Sequence, residues 1–123
     1  MSNEIVDAFE KIIDRDLLNV AYRPLSSYIE NNFSRIDLTY RANFVQNVEN
    51  ATLLDFELIK LDGIEQDDDK ITFKAVVNAE IEIEETIQRD REVESVQKWF
   101  VLKCSVDIDN IPSSFVIKAI DVY

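Results

Sequence analysis

In residues 70 to 85, KITFKAVVNAEIEIEE, two faces alternate over a dozen residues. Ile71, Phe73, Ala75, Val77, Ala79, Ile81 and Ile83 fall on one side, and Thr72, Lys74, Val76, Asn78, Glu80, Glu82 and Glu84 on the other. A period of two is the period of a strand, and it puts one face against a core and the other mostly in water. Parallel strands buried on both faces do not alternate in this way, so the pattern predicts an antiparallel, half-solvated sheet.

The flanking segments fit the same sheet. ATLLDFELIKL, residues 51 to 61, reads as a strand, and DGIEQDDD, residues 62 to 69, as the turn or loop after it. In QKWFVLKCSVDID, residues 97 to 109, Phe100, Leu102, Cys104, Val106 and Ile108 take the core face, while Trp99 and Val101 point outward. DNIPSS turns through Pro112. FVIKAIDVY then makes a last strand with Phe115, Ile117 and Ala119 on one side and Val116, Ile120 and Val122 on the other. Both C-terminal strands are apolar on two faces near their middles. RIDLTYRANFVQNV, residues 35 to 48, is read as a further strand from Ile36, Leu38, Tyr40, Ala42 and Phe44, although Leu38, Ala42, Val45 and Val48 also suit a helix.

Ahead of the strands, Ile5, Phe9, Ile12, Ile13, Leu17 and Val20 recur at helical spacing, opposite Asp7, Glu10, Lys11, Asp14 and Arg15. Ser2 or Asn3 is placed to cap this helix, and Glu4 and Asp7 suit the positive end of its dipole. Arg23 precedes Pro24 and is turned away from helical angles, so the helix is expected to end there. Pro24 then opens a second short helix with Leu25, Tyr28, Ile29 and Phe33 inward. The fold class is therefore α+β: one or two N-terminal helices on a curved, mainly antiparallel sheet of four or five strands, as in cystatin-like or NTF2-like folds.

No repeat, linker or composition break divides the chain, so residues 1 to 123 form a single domain. A chain of this length buries roughly 65% of the surface its unfolded form exposes, and needs no covalent staple. The one cysteine cannot make an internal disulfide, and the charged N-terminus lacks the apolar run of a signal peptide, so a cytoplasmic location is expected. No apolar stretch reaches the roughly 20 residues a membrane helix needs. Formal net charge is -12, and residues 62 to 94 hold twelve acids against four basic residues. That field repels phosphate backbones and anionic membranes, which excludes direct nucleic-acid and membrane binding and leaves basic proteins as partners. Its plainest role is a solvated surface that keeps the chain dispersed.

The absence of histidine removes Ser-His-Asp and Cys-His nucleophiles and His-ligated zinc. One cysteine cannot build a cysteine-rich metal site, and the one glycine, Gly63, cannot build a glycine-rich phosphate loop. Cys104 reads as a buried, inert thiol. The acids Asp67, Asp68 and Asp69 lie in one loop with Asp62 and Glu65, but their spacing is not that of a calcium-binding EF-hand. An exposed acidic turn is the reading there, with a weak divalent-cation site as the alternative. Glu80, Glu82 and Glu84 form a row that does acid-base work only in a recess; otherwise they are solubilising, with cross-strand cations such as Lys103 offsetting their repulsion. Trp99 is either covered by a helix of the domain or an anchor for another domain or subunit. No catalytic residue, metal ligand or cofactor is expected.

The run AEIEIEETIQRDREVESVQKWFVLKCSVDID, followed by FVIKAIDVY, spans residues 79 to 123. Its acidic alternating strand, RDRE turn, WF strand with a cysteine and an acidic end, and closing strand ending in VY resemble the region before the peptidase module in some ImmA/IrrE-type zinc metallopeptidase proteins of bacterial mobile elements. YRPLSSYIE is an earlier echo. The resemblance implies an accessory N-terminal domain and not the protease, whose His-Glu-x-x-His motif has no counterpart here, so no catalytic residue carries over. It also implies that the chain is a cut domain or a free-standing relative.

The expected function is thus a non-catalytic protein-interaction or sensing domain, the accessory domain of a metallopeptidase-type regulator. Its candidate interface is Trp99, Val101, Val116 and Ile120, and its acidic surface is Asp67, Asp68, Asp69, Glu80, Glu82 and Glu84. The partner is a protein, a neighbouring domain or a second copy in a homodimer. One alternative is an acidic nucleic-acid mimic that blocks a basic host protein. The other is an NTF2-like ligand-binding domain or enzyme, which requires a pocket between helix and sheet.

Overall fold

The computed structural model describes residues 3–123, with side chains from residue 7 onward. The cap predicted at Ser2 or Asn3 and the side chains of Glu4 and Ile5 lie outside the described residues. Helix α1, Asn3–Asn32, is followed by a 3-10 turn at Phe33–Arg35 and an irregular segment. Strands β1, Asn50–Asp67, β2, Lys70–Ile87, and β3, Asp90–Asp107, come next. A 3-10 turn at Ile108–Asn110 and the four-residue α2, Ile111–Ser114, lead into β4, Val116–Val122. The strands form one antiparallel sheet in the order β1-β2-β3-β4. The α+β class with a helix on a curved, open, antiparallel sheet is as expected.

The first three strands have 18 residues each and are joined by two-residue turns. Asp68 at φ 54° opens the first turn, and Gln88 and Arg89 at φ 52° and 75° make the second, the left-handed pair that matches strand twist in a hairpin. DGIEQDDD is therefore mostly strand and not loop. Two of its acids lie opposite basic residues in the ladder, Asp62 across from Lys74 and Asp67 across from Lys70. The cost of its irregular sequence appears as a bulge at Gly63, whose φ of 58° suits a residue without a side chain.

That bulge is one of three on β1, the others lying between Leu53 and Asp55 and between Leu58 and Lys60. Extra residues on an edge strand bend it and increase its twist. The sheet accordingly curls around α1, which contacts both β1 and β4. On α1 the buried side chains are Phe9, Ile13, Leu17, Ala21, Leu25 and Ile29, each four residues after the last. A spacing of four overshoots a 3.6-residue turn, so this stripe winds slowly round the helix as the sheet winds round it. The sheet contributes Phe73, Ala75, Val77, Ala79, Ile81 and Ile83 from β2 and Phe100, Leu102, Cys104 and Val106 from β3. Phe73 meets Phe9 and Phe115 edge to face at 5.3 and 5.9 Å, and Tyr28 meets Phe100 at 6.1 Å.

The helix was expected to end near Pro24, and one continuous helix passes through it. Proline in a helix interior costs roughly 3 kcal/mol through its lost N–H and its ring. Continuing the helix buries Leu25 and Ile29 completely, at about 1.5–3 kcal/mol each, and burial wins. Pro24 itself is exposed, so Pro24→Ala is expected to raise stability by about 1–3 kcal/mol. A lower melting temperature for that variant would mean the proline sets a bend the core depends on.

The segment 36–49 is not the strand its alternation suggested. Ile36, Leu38 and Val45 are buried, whereas Tyr40 and Phe44 are 79% and 66% exposed. The backbone N–H groups from Asn43 to Asn47 are taken by side chains, as described below, and Glu49 alone donates to a strand, at the Glu84 carbonyl of β2, 2.8 Å away. Ile108, predicted inward, lies beyond the end of β3 and is exposed. On β4, Lys103 pairs with Ala119 but Cys104 with Ile117, so Lys118 is an extra residue. This shift returns Ile120 to the inner face with Ile117, where both pack on the core, and turns Ala119 outward. Val122 is likewise opposite inward-facing Phe100.

Candidate functional site

The outer face of the sheet, opposite α1, carries the residues singled out for contact. Trp99 is 40% exposed, and no helix among the described residues covers it. Its ring meets Tyr123 edge to face at 5.3 Å, and Lys60 Nζ stands 5.8 Å from the Tyr123 ring centre. The carboxylate of Asp62, 3.4 Å from Lys60 Nζ, and then the Tyr123 hydroxyl raise the pKa of Lys60 above its ordinary value. Val101 is half-buried opposite Val76, which is 1% exposed although it belongs to the outer face. Val116 is exposed opposite Ser105. Of the predicted interface, Trp99, Val101 and Val116 are therefore on the outer side, and Ile120 is not.

The acidic residues divide between the two ends of the sheet. Asp67, Asp68 and Asp69 close the first hairpin and are exposed. Glu80, Glu82 and Glu84 lie more than ten residues further along β2, roughly 35 Å away at the rise of a strand. Arg91, not Lys103, balances the row: its guanidinium donates to Glu84 and stands 3.9 Å from Glu82. Lys103 lies opposite Lys74 and 3.9 Å from Asp121. Ser95 donates its hydroxyl to Glu80 at 2.9 Å.

β1 completes a cluster that sequence spacing alone did not reveal. Asp55 lies opposite Glu80, and Glu57 opposite Asn78. With Gln97 and Phe56 they line a shallow concavity of about 200 Å³ on the outer face. Asn78 donates Nδ2–H to Gln97 Oε1 at 3.4 Å, and its Oδ1 is buried with no hydrogen-bond partner among the described residues. Asp55 and Glu57 interrupt an otherwise apolar run, and their outward phase was legible once β1 was aligned on β2. Three carboxylates around two amides suit a cationic group such as an ammonium or guanidinium. Among the described residues, no group of His, Cys, Asp or Glu has an arrangement that would hold a metal ion.

A second set of carboxylates faces inward and was not predicted. Glu85 shares the phase of Ile81 and Ile83 and is 6% exposed. It accepts the backbone N–H groups of Gln46 and Asn47 at 3.2 and 2.7 Å. Glu94, opposite Ile83, accepts those of Asn43, Phe44 and Val45 at 2.6, 2.9 and 3.1 Å. These donors, led by Asn43 and Phe44, hold the Glu94 carboxyl below its ordinary pKa. Glu49 returns the arrangement by accepting the N–H of Thr86 at 3.1 Å. Both glutamates are therefore positioning residues for the segment 36–49.

The segment so placed bounds a larger cleft of about 500 Å³. Its walls are Asp37, Leu38, Tyr40 and Arg41 on one side and Ser95–Trp99 of β3 on the other, with Tyr123 at one end. Between α1 and the inner face of the sheet the facing side chains are apolar and buried, and open grooves of about 400 and 370 Å³ run along the borders of α1 with β1 and with β4. Cys104 is in that core, and burial pushes its thiol up to about 12, so it is protonated at neutral pH. No helix among the described residues is long and apolar enough to cross a membrane. Comparisons with protein-family models, with curated proteins and with solved structures find no match to this chain.

Proposed function

We propose that this chain is a non-catalytic interaction domain whose outer sheet face, from Trp99 and Tyr123 to the carboxylates Asp55, Glu57 and Glu80, binds a basic protein segment. The observation that carries the reading is Trp99: a large aromatic surface left uncovered by its own domain, beside a concavity lined by carboxylates and amides. Aromatic anchors next to unbalanced charge are what a tight contact with a lysine- or arginine-bearing surface uses. The filled core between helix and sheet supports this over the NTF2-like carrier. The resemblance to the accessory region of ImmA/IrrE-type proteins agrees with a docking role beside another module.

Labelled poly-lysine, followed by fluorescence anisotropy, tests the face. Binding is expected for the wild type, weakened about tenfold or more by Trp99→Ala and by the pair Glu57→Gln and Glu80→Gln. No binding at low salt would end the proposal. Binding that collapses with salt and ignores Trp99→Ala would favour the nucleic-acid mimic instead, because its contacts are charge pairs alone.

A further inference from the structure

β4 pairs with β3 only from Phe100 to Ser105, and the N–H of Tyr123 closes the ladder on the carbonyl of Trp99 at 3.1 Å. Strand alternation then directs the N–H and C=O groups of Gln97, Ser95 and Val93 the same way, toward the side β4 has left. Among the described residues nothing hydrogen-bonds to them there: the amides of Asn43, Phe44 and Val45 go to the Glu94 carboxylate, those of Gln46 and Asn47 to Glu85, and none of the segment 36–49 to the β3 main chain. Half of β3 is thus an open edge, and exposed apolar side chains gather beside it. Tyr40, Phe44, Val93, Trp99 and Tyr123 are 79, 66, 44, 40 and 60% exposed.

We infer that this edge pairs with the same edge of a second copy, antiparallel about a two-fold axis at Ser95. The sequence R-E-V-E-S-V-Q-K, residues 91 to 98, is complementary to itself in that register. Glu92 lies opposite Lys98 of the second copy, twice over by symmetry. Val93 lies opposite Gln97, and the pairing ends at Lys98, because Tyr123 already holds the Trp99 carbonyl. The neighbouring registers are worse. Centring on Glu94 sets that carboxylate against its own copy, and centring on Val96 drives Arg91 toward Val101, whose main chain β4 already holds. The pairing satisfies the orphan groups of Val93, Ser95 and Gln97 and removes an edge that would otherwise template unspecific association. It is independent of the basic-partner reading, and its readout is self-association alone.

Light scattering and sedimentation at increasing concentration test it. The wild type is expected at about twice its 14.3 kDa chain mass in the micromolar range. Ser95→Pro removes an N–H that has no partner among the described residues, so it is expected to give a folded monomer with unchanged circular dichroism. Lys98→Glu should dissociate the dimer, and the swap Glu92→Lys with Lys98→Glu should restore it. Ser95→Cys should form an intermolecular disulfide on mild oxidation, since residues opposite each other in a hydrogen-bonded pair have Cα atoms about 5.5 Å apart. Buried Cys104 does not compete. A wild type that stays monomeric through the micromolar range, or a dimer that survives Ser95→Pro, overturns the inference. So does a dimer in which Gln97→Cys crosslinks and Ser95→Cys does not.

Discussion

Phe100→Ala is expected to destabilise the fold by about 3–5 kcal/mol, read as a lower urea midpoint with an unchanged slope. The ring is fully buried, is the largest such side chain among the described residues, and packs edge to face on Tyr28 of α1. Removing it forfeits transfer free energy and leaves a cavity lined by helix on one side and sheet on the other, which can collapse only partly. Domains of this size are stable by roughly 5–15 kcal/mol, so the variant stands at the margin of folding. Its neighbour in sequence supplies the control. Trp99 is as apolar but faces outward, and Trp99→Ala is expected to cost less than about 1 kcal/mol in the monomer. Equal losses at the two positions would mean that the assignment of inner and outer faces is wrong.

Removal of Glu85 and Glu94 together is expected to release the segment 36–49 while the sheet stays folded. Between them the two carboxylates accept five backbone N–H groups, from Asn43 to Asn47. Glu85→Ala removes the acceptor of Gln46 and Asn47 at a part-buried site, a loss of about 1–2 kcal/mol. Glu94→Ala acts in the same direction on Asn43, Phe44 and Val45. Hydrogen exchange is the measurement: these five amides should be protected in the wild type and exchange freely in the double variant, with the β2 and β3 amides unaffected. Acid should reproduce part of this. The folded pKa of Glu94 lies below its ordinary value of 4.5, so its contribution is present above that pH and is lost as pH falls through the lower, folded value. Protection of residues 43 to 45 that survives Glu94→Ala would show that something other than this carboxylate holds them.

These two glutamates also show where sequence reading stopped. The phase of residues 71 to 83 carries on to Glu85, and that of Val96 back to Glu94, so both carboxylates were in core positions by alternation alone. A charge on a core face is either a broken pattern or an acceptor for donors brought from elsewhere, and a single strand cannot say which. The donors lie some forty residues upstream in a segment whose own alternation, Ile36 to Phe44, imitates a strand. Ile120 was misplaced for a related reason. The extra residue at Lys118 flips the face of everything after it, and bulges leave no mark in apolar periodicity. The outward carboxylates Asp55 and Glu57 became neighbours of Glu80 only through the pairing of β1 with β2.

From its residues alone the chain determined its class, its long alternating strands, the inward face of β2 and β3, and the exclusion of histidine-dependent chemistry. Local properties decide all of these, because a period of two or a missing residue type does not depend on what the chain meets in space. The tertiary structure decided the passage of α1 through Pro24, the course of the segment 36–49, the face of Ile120 and the open edge of β3. Each depends on a contact made across many residues, where distant burial or hydrogen bonding outweighs the local preference of the backbone.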